Sequence, residues 1–381
     1  MLGVAAIAAI FSGLGLAQGA AGLVALERFI DAPTITALDL PPISVLKPLH
    51  GEEPALEAAL ASFLAQDYPD FQVVFGIQNP ADPALAVVER LRLRFPGRDI
   101  ALVVDATQHG RNRKIGNLIN MQRAARHDTL VIADADIHVA PDYLRSLAAA
   151  LAEPGTGMVT TLYTGLPVQN TLASRMGAMQ ISQVFLPGVL LARALGREDG
   201  LGATMALRRA TLDAAGGFAA LADLIADDAA LGARVRALGL HVRLARTVPA
   251  TTVAESGFRA LCHHELRWAR VNRSIAPLGF AASLVQYPLA FALMALALAL
   301  APAAGWAASW LVFCWFCRAA IMRGVDRRLG LAPPTPLGPA VLLLRDLLSV
   351  AAVAASFTGN KVVWRGEIVE VDHASTLLTK T

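Results

Sequence analysis

Asp134-Ala135-Asp136 directly follows residues 130–133, an apolar run of the kind that forms a buried strand. Alternate acids at a strand end reach one hard divalent cation where the chain kinks, and such a cation also takes phosphate oxygens. The triplet reads as a Mg2+ or Mn2+ site for a nucleotide diphosphate. The plain alternative is a helix cap, because Asp136 stands shortly before the helix expected to open at Pro141. Asp227 and Asp228 open a second amphipathic helix. Asp227 fits an N-cap and Asp228 a first-turn acid favoured by the helix dipole; that accounts for one of the two, and the second invites a role as a carboxylate that deprotonates an attacking hydroxyl. His264, Arg267 and Trp268 are spaced i, i+3, i+4 and share one face of a helix over residues 257–274. An arginine there clamps a diphosphate bidentately, and a tryptophan walls a sugar pocket. The alternative is a membrane-proximal basic helix with a packed tryptophan.

These residues need a frame. Residues 43–46, 71–77, 100–104 and 130–133 read as buried strands, separated by helical patterns at 54–65, 83–94, 114–125 and 141–152. Strand–helix alternation predicts an α/β domain with a parallel sheet, whose ligands bind at the carboxyl ends of the strands. Lys47 follows the first strand, Asp82 the second, Lys114 the third and Asp134 the fourth. Acids and bases thus converge on one rim, and Lys47, Asp82 and Lys114 join the substrate-binding candidates. Residues 171–195 predict a largely apolar helix interrupted by Arg175, Gln180 and Gln183, either a core helix or a membrane-surface element. Residues 200–209 read as a glycine-softened turn entering a strand.

Composition bounds the rest. Of 381 residues, 55% are apolar and only 17% charged. Mean hydropathy is +0.51. A soluble protein carries about 25% charge, so a disordered, fibrous or fully soluble chain is disfavoured. A net charge of +3 gives no reason to expect a nucleic-acid partner. Three cysteines, Cys262, Cys314 and Cys317, are too few for a disulfide framework and fit a reducing compartment. Cys314 and Cys317 have redox-motif spacing but fall in an apolar helix, where packing explains them. Cys262, His263 and His264 lack zinc spacing.

Residues 2–26 form one uncharged run, long enough at about 25 residues to span a bilayer. No basic residue precedes it, which argues for a retained anchor with Arg28 on the cytoplasmic side. Residues 280–301 and 305–316 predict a hairpin of two spans, followed by a cytoplasmic loop bearing Arg318, Arg323, Arg327 and Arg328. Residues 337–357 are a further candidate with Arg345 and Asp346 near the middle, either a span with a neutralised pair or an interfacial helix. The resulting plan is an anchor at 1–27, a catalytic domain at 40–277, C-terminal helices at 280–358 and a tail at 359–381.

A K-P-L-x-G strand end at 47–51, an isolated Asp after the second strand, a D-x-D-type acid after the fourth, the late pair Asp227-Asp228 and a [Q/R]-x-x-R-W helix, in this order, resemble the ceramide glucosyltransferases of glycosyltransferase family 21, and residues 47–51, 78–83, 114–120, 134–139 and 263–270 carry a finer likeness. Within that group they are most similar to bacterial hopanoid-biosynthesis glycosyltransferases. The resemblance implies a GT-A, Rossmann-like cytoplasmic domain flanked by transmembrane helices in a bacterial inner membrane. It also implies a UDP-sugar donor, a divalent cation and a membrane-lipid acceptor, hopanoid or sphingolipid. By position, Asp82 would contact the nucleotide, Asp134 with Asp136 would hold the metal-diphosphate, and Asp228 would be the general base. Arg267 and Trp268 match the family's [Q/R]-x-x-R-W motif, whose first position is His264 here. The hopanoid branch implies transfer of N-acetylglucosamine from UDP-N-acetylglucosamine to a bacteriohopanetetrol-type lipid. Its rivals are a ceramide glucosyltransferase using UDP-glucose, a processive polysaccharide synthase, which needs more spans, and a non-catalytic membrane scaffold or transporter, which leaves the strand-end acids unexplained.

Overall fold

The computed structural model describes residues 2–33, 39–299, 304–331, 339–364, 367–371 and 377–378. After the N-terminal helix α1 (Leu2–Asp31) come β1 (Ile43–Leu49), α2 (Leu56–Leu64), β2 (Phe71–Ile77), α3 (Ala84–Arg94), β3 (Asp99–Val104), α4 (Arg113–Met121) and β4 (Thr129–Ala133). The alternation expected from the sequence is present, with β1 extended to Leu49. Then follow β5 (Ile137–His138), α5 (Tyr143–Ala152), β6 (Thr156–Thr160), β7 (Thr164–Pro167), α6 (Leu172–Gln180) and α7 (Leu186–Ala194). The domain continues with β8 (Thr204–Arg208), α8 (Arg209–Ala214), α9 (Asp227–Ala237), β9 (His241–Leu244), β10 (Ala250–Val253) and α10 (Phe258–Ile275). The C-terminal part holds α11 (Pro277–Ala282), α12 (Pro288–Leu298), α13 (Ala304–Arg328), α14 (Leu342–Ser356), β11 (Lys361–Trp364), β12 (Glu367–Val371) and β13 (Leu377–Leu378).

The main sheet has the order β3-β2-β1-β4-β8-β6-β9. β1 pairs in parallel with both β2 and β4, whereas β8 runs antiparallel to β4 and β6. All residues of β1, β2 and β4 are buried, which is why these strands are almost wholly apolar in sequence. The chain winds outward from β1 through β2 to β3, then returns to β4 on the other side. That reversal opens a crevice at the carboxyl ends of β1 and β4. One core packs α2, α3 and α5 on the sheet, and a second packs α4, α8 and α9. Gly76 lets α4 approach β2 closely, since a Cβ there would lie 2.2 Å from Met121 Sδ. Asn117 Nδ2 also donates to the Gly76 carbonyl at 2.8 Å, so α4 and its Lys114 are pinned beside the strand ends.

The apolar helices pack through small side chains. Ala5, Ala8, Ser12, Gly15 and Gly22 form the buried seam of α1, a spacing that permits close helix approach. A Cβ on Gly15 would sit 2.2 Å from the Val285 carbonyl oxygen, and one on Gly22 would sit 2.8 Å from Pro187 Cβ. Trp310 Nε1 donates to Ser12 Oγ at 2.8 Å, and Cys314 is buried beside the same hydroxyl. Among the described residues, α1 and α13 are long and apolar enough to cross a membrane. A third candidate is the broken segment Pro277–Gln286 plus Pro288–Leu298, bent by 71°.

Both expected spans of the hairpin have a counterpart here, with changed bounds. Pro288 interrupts the first expected span early, because proline at a helix start cannot continue the preceding helical ladder. The second extends as one helix to Arg328, so Arg318 and Arg323 stand on α13 rather than in a loop. Residues 300–303, at the expected turn of the hairpin, lie outside the described residues. At 15 residues α14 is short for a span. Its two charges do not neutralise each other; each meets another helix. Arg345 pairs with Glu265 of α10 and donates to Ser349 Oγ at 2.8 Å. Asp346 lies 3.8 Å from Arg318 Nε and accepts from Leu289 N at 3.0 Å. It thereby caps the start of α12, where backbone N–H groups lack helical partners. Within the expected tail, β12 pairs antiparallel with both β11 and β13.

Gly15→Leu should destabilise the purified protein by about 1–3 kcal/mol through overpacking. Gly3→Leu, where nothing lies within 4 Å, should leave the melting temperature in detergent unchanged. Equal melting of the two variants would refute the tight α1 seam.

Candidate active site

The site is built around one ammonium group. Asn112 caps α4, its Oδ1 accepting from Ile115 N at 3.1 Å, and this sets Lys114 in the first turn. Lys114 Nζ lies 2.7 Å from Asp134 Oδ1 and 3.4 Å from Asp227 Oδ2. Asn112 Nδ2 donates to Asp227 Oδ1 at 3.3 Å and to the Leu224 carbonyl at 2.7 Å. The start of α4 thus ties the end of β4 to the start of α9. Asp227 is not the cap of α9: Ala226 occupies that position, and the Asp227 carboxylate is drawn to Lys114 and Asn112. The glycine-softened turn expected before β8 is the seat of Asp228. A Cβ on Gly200 would lie 2.4 Å from the Asp228 carbonyl oxygen, and one on Gly202 would lie 3.1 Å from its Oδ2.

Charge separates the roles of these acids. Burial and the neighbouring Asp227 push the Asp228 carboxyl up to about 6, although Lys114 opposes the shift. Burial and Asp134 also raise Asp136, whose Oδ2 accepts from Thr251 Oγ1 at 2.6 Å. Burial disfavours the Lys114 charge, but Asp134 and Asp227 outweigh it and hold that ammonium above its ordinary value. Lys47 behaves oppositely: burial brings it down to about 7 despite Asp136 and Asp134. Expected on the rim as a substrate contact, Lys47 is instead fully buried beneath it, because its ammonium donates to the Asp134 carbonyl and stands 3.9 Å over the Phe63 ring. Asp82 is also buried. Its carboxylate accepts from Gly51 N at 3.0 and 2.9 Å and from Ala84 N at 2.9 Å, which fixes the loop after β1.

The helix α10 supplies the facing wall. His264 and Trp268 meet edge to face, with ring centroids 5.0 Å apart. Trp268 continues to Phe185 at 6.1 Å, and Phe185 to Tyr163 at 5.1 Å. Phe185 closes a π-helical turn, Ile181–Phe185, between α6 and α7. The helix expected over 171–195 is therefore interrupted at Gln180–Leu186 by a widened turn, a feature that recurs at functional sites. Burial lowers the Arg267 pKa, while Asp134, Asp136 and Glu255 counter that effect, so the guanidinium lies within electrostatic reach of the strand-end acids. Tyr163 is raised by burial and by Asp228, Asp134 and Asp136. The cleft therefore brings Asp134, Asp136, Asp228, Lys114 and Arg267 together, with His264 and Trp268 on the adjoining wall.

Sequence reading missed the roles of Asn112, Tyr163, Thr251 and Glu255. Asn112 carried a usable signal, a capping residue two positions before Lys114. Tyr163 directly precedes β7 and Thr251 lies within β10, so their meeting with the site depends on the small sheet β5-β10-β7, which no local pattern announces.

The donor set at Asp134 and Asp136 consists of two hard carboxylates, the Asp134 side chain being 38% exposed. Among the described residues no three His, Cys, Asp or Glu groups converge as a complete metal cage. Two carboxylates suit a hard divalent cation that takes its remaining ligands from phosphate and water.

An α/β domain with this sheet order and acids at its switch point is a GT-A glycosyltransferase domain. A mannosyltransferase of Pyrobaculum calidifontis, solved with GDP-Man and Mn2+, shares the fold with a TM-score of 0.54 at 20% identity, over 93% of this chain and 99% of that one. The sequence model of glycosyl transferase family 21 matches residues 5–377, and the chain belongs to that family. It is an enzyme, a glycosyltransferase. Ceramide glucosyltransferase 1 of Caenorhabditis elegans is 30% identical over 112 residues, which are 29% of this chain and 24% of that protein. The ceramide glucosyltransferase of Pyricularia oryzae is 30% identical over 161 residues, 36% of this chain and 33% of that protein. The matched parts thus span about a quarter to a third of these relatives' length.

Asp228 makes a stability prediction. Its folded-state pKa of about 6 lies above the ordinary carboxylate value, so the native state holds this proton more tightly than the unfolded chain. The resulting penalty is fully present above pH 6 and disappears below the unfolded value near about 4. Asp228→Asn should melt higher than the native protein at pH 8, by the equivalent of about 1–3 kcal/mol. The gap should close as pH falls from about 6 to about 4. Thermal melts across pH that show no gap at pH 8 would contradict the raised Asp228 carboxyl.

Proposed function

We propose that this enzyme transfers a sugar from a UDP-sugar to a hydroxyl of a membrane lipid, inverting the anomeric carbon. The observation that carries the reading is Asp228, a carboxylate kept near neutrality by burial beside the strand-end acids. A base of that strength takes a proton from an alcohol most effectively near physiological pH. Asp228 accepts the acceptor's proton as the acceptor oxygen attacks from the face opposite the departing diphosphate. Arg267 lies where it can neutralise charge that builds on the leaving UDP. One base without a protein nucleophile gives a single displacement, hence inversion. Asp134 and Asp136 would hold a divalent cation, Mg2+ or Mn2+, which when bound supplies charge neutralisation for the diphosphate. Lys114 keeps Asp134 and Asp227 in place, Lys47 supports the Asp134 backbone from below, and Asp82 orders the loop that would meet the nucleotide.

The donor and acceptor put forward are UDP-N-acetylglucosamine and a bacteriohopanetetrol-type hopanoid, on the strength of the segment resemblance in the sequence. The names of the matched relatives favour the second pairing, UDP-glucose and ceramide. In both cases the acceptor's polar end reaches the cleft from a bilayer that holds α1, α13 and the bent segment before α13. The localisation that fits is multi-pass in a bacterial inner membrane with the catalytic domain in the cytoplasm, exposed Arg28, Arg323 and Arg327 facing that side.

The test is product analysis. Purified enzyme is given radiolabelled UDP-N-acetylglucosamine or UDP-glucose with a hopanoid polyol or ceramide, and lipids are identified by mass spectrometry. Glycosylated hopanoid from the first donor is the expected product, with kcat rising through about pH 6 as Asp228 ionises. Asp228→Asn should lower kcat at least about a hundredfold. Product from ceramide alone would overturn the hopanoid assignment, and full activity of Asp228→Asn would overturn the mechanism.

A further inference from the structure

Glu255 lies between β10 and α10, and the transfer mechanism above uses its side chain in no step. It is only 9% exposed. Oε1 lies 2.5 Å from His264 Nδ1, while Oε2 is buried with no hydrogen-bond partner. Its seat is built by α6. A Cβ on Gly177 would lie 3.4 Å from Glu255 Oε2 and 2.9 Å from Val253 Cγ1, so glycine leaves the room this carboxylate occupies. The backbone is fastened as well: Thr171 Oγ1, on the cap of α6, donates to the Glu255 carbonyl at 2.9 Å, and Ser174 Oγ donates to the Val253 carbonyl at 2.5 Å.

A buried carboxylate with one idle oxygen is costly unless a positive group balances it. Two groups of α10 stand ready. His264 is in direct contact, and Glu255 favours the Arg267 charge along with Asp134 and Asp136. The imidazole is also fixed from its other side by the edge-to-face contact with Trp268. Held at Nδ1, the ring has Nε2 as its one nitrogen left for a substrate.

We propose that Glu255 is a positioning residue for the transfer site: it fixes His264 through Nδ1 so that Nε2 serves an oxygen of the donor's diphosphate alongside Arg267. The assignment rests on the transfer reading given above. It gives the His264 position, where the family motif has Gln or Arg, a job that either of those side chains performs with an N–H group and that the imidazole performs only when a second residue sets its orientation.

The test compares Glu255→Gln, which keeps shape but removes charge, with His264→Phe, which keeps a ring against Trp268, and His264→Gln, which restores an N–H donor. Each folded variant is assayed with radiolabelled UDP-glucose and UDP-N-acetylglucosamine over a total lipid extract, and UDP binding is measured by calorimetric titration. Glu255→Gln and His264→Phe should each lower kcat roughly ten- to a hundredfold, with little change in the acceptor KM. The double variant should be no slower than His264→Phe, because the two residues act as one unit, and His264→Gln should recover much of the rate. A folded Glu255→Gln with native kcat, or losses that multiply in the double variant, overturns the proposal. If Glu255→Gln does not fold, the half-exposed His264 position decides: equal kcat in His264→Phe, His264→Gln and the native enzyme overturns it. Asp228→Asn in the same assay separates the two readings. Its inactivity beside a fully active Glu255→Gln refutes only the Glu255 role, whereas its full activity refutes the transfer reading itself.

Discussion

The ion pairs of Lys114 hold the cleft together. A single ammonium, nearly out of water, sits between the carboxylates of Asp134 and Asp227. These acids come from the end of β4 and the start of α9, elements almost a hundred residues apart in the chain. Without the ammonium, two carboxylates would face each other in a partly buried space, and breaking such a buried arrangement typically costs about 3–5 kcal/mol. With it, the neighbouring Asp228 stays outside the Lys114 ion pairs, and burial together with Asp227 raises its carboxyl. The same group that assembles the site therefore holds two of its acids, Asp134 and Asp227, in ion pairs and leaves Asp228 outside them.

Glycine placement serves this electrostatic design. Gly76 allows α4 to lie against β2, which delivers Lys114 to the rim. Gly200 and Gly202 let the turn before β8 close over Asp228, and the resulting loss of water is the main cause of its raised pKa. A side chain at either position would open the turn and return water to the carboxylate. Packing at these glycines is thus an electrostatic device as much as a steric one.

The strands and the acids at their ends were legible in the sequence because both follow local rules. A buried parallel strand must be continuously apolar, and its carboxyl end must carry whatever meets the ligand. The face shared by His264, Arg267 and Trp268 followed from helical spacing alone. Lys47 was misplaced because sequence order puts it at a strand end, whereas the strand runs on to Leu49 and carries Lys47 into the interior. Asp227 was read as a cap because a side-chain acid before a helix normally has no better partner. Here Lys114 and Asn112, both from a different element, outbid the local backbone. Glu255 gave no signal, since its meaning lies in a glycine on α6 and a histidine on α10.

The helices outside the domain are joined to the site by charge rather than by chain connectivity alone. Glu265 stands on α10 one residue after His264, and its partner is Arg345 of α14. On the next residue of α14, Asp346 meets Arg318 of α13 and caps the start of α12. Charges in an apolar bundle are tolerated only when paired, so each contact permits one arrangement of the helices it joins. A shift of α14 would leave Glu265, Asp346 and Arg318 unpaired together. The bundle therefore fixes the height and rotation of α10, and through them the position of Arg267 and Trp268 relative to the strand-end acids. This ties the apolar helices to the geometry of the proposed site, which a tether alone would not require.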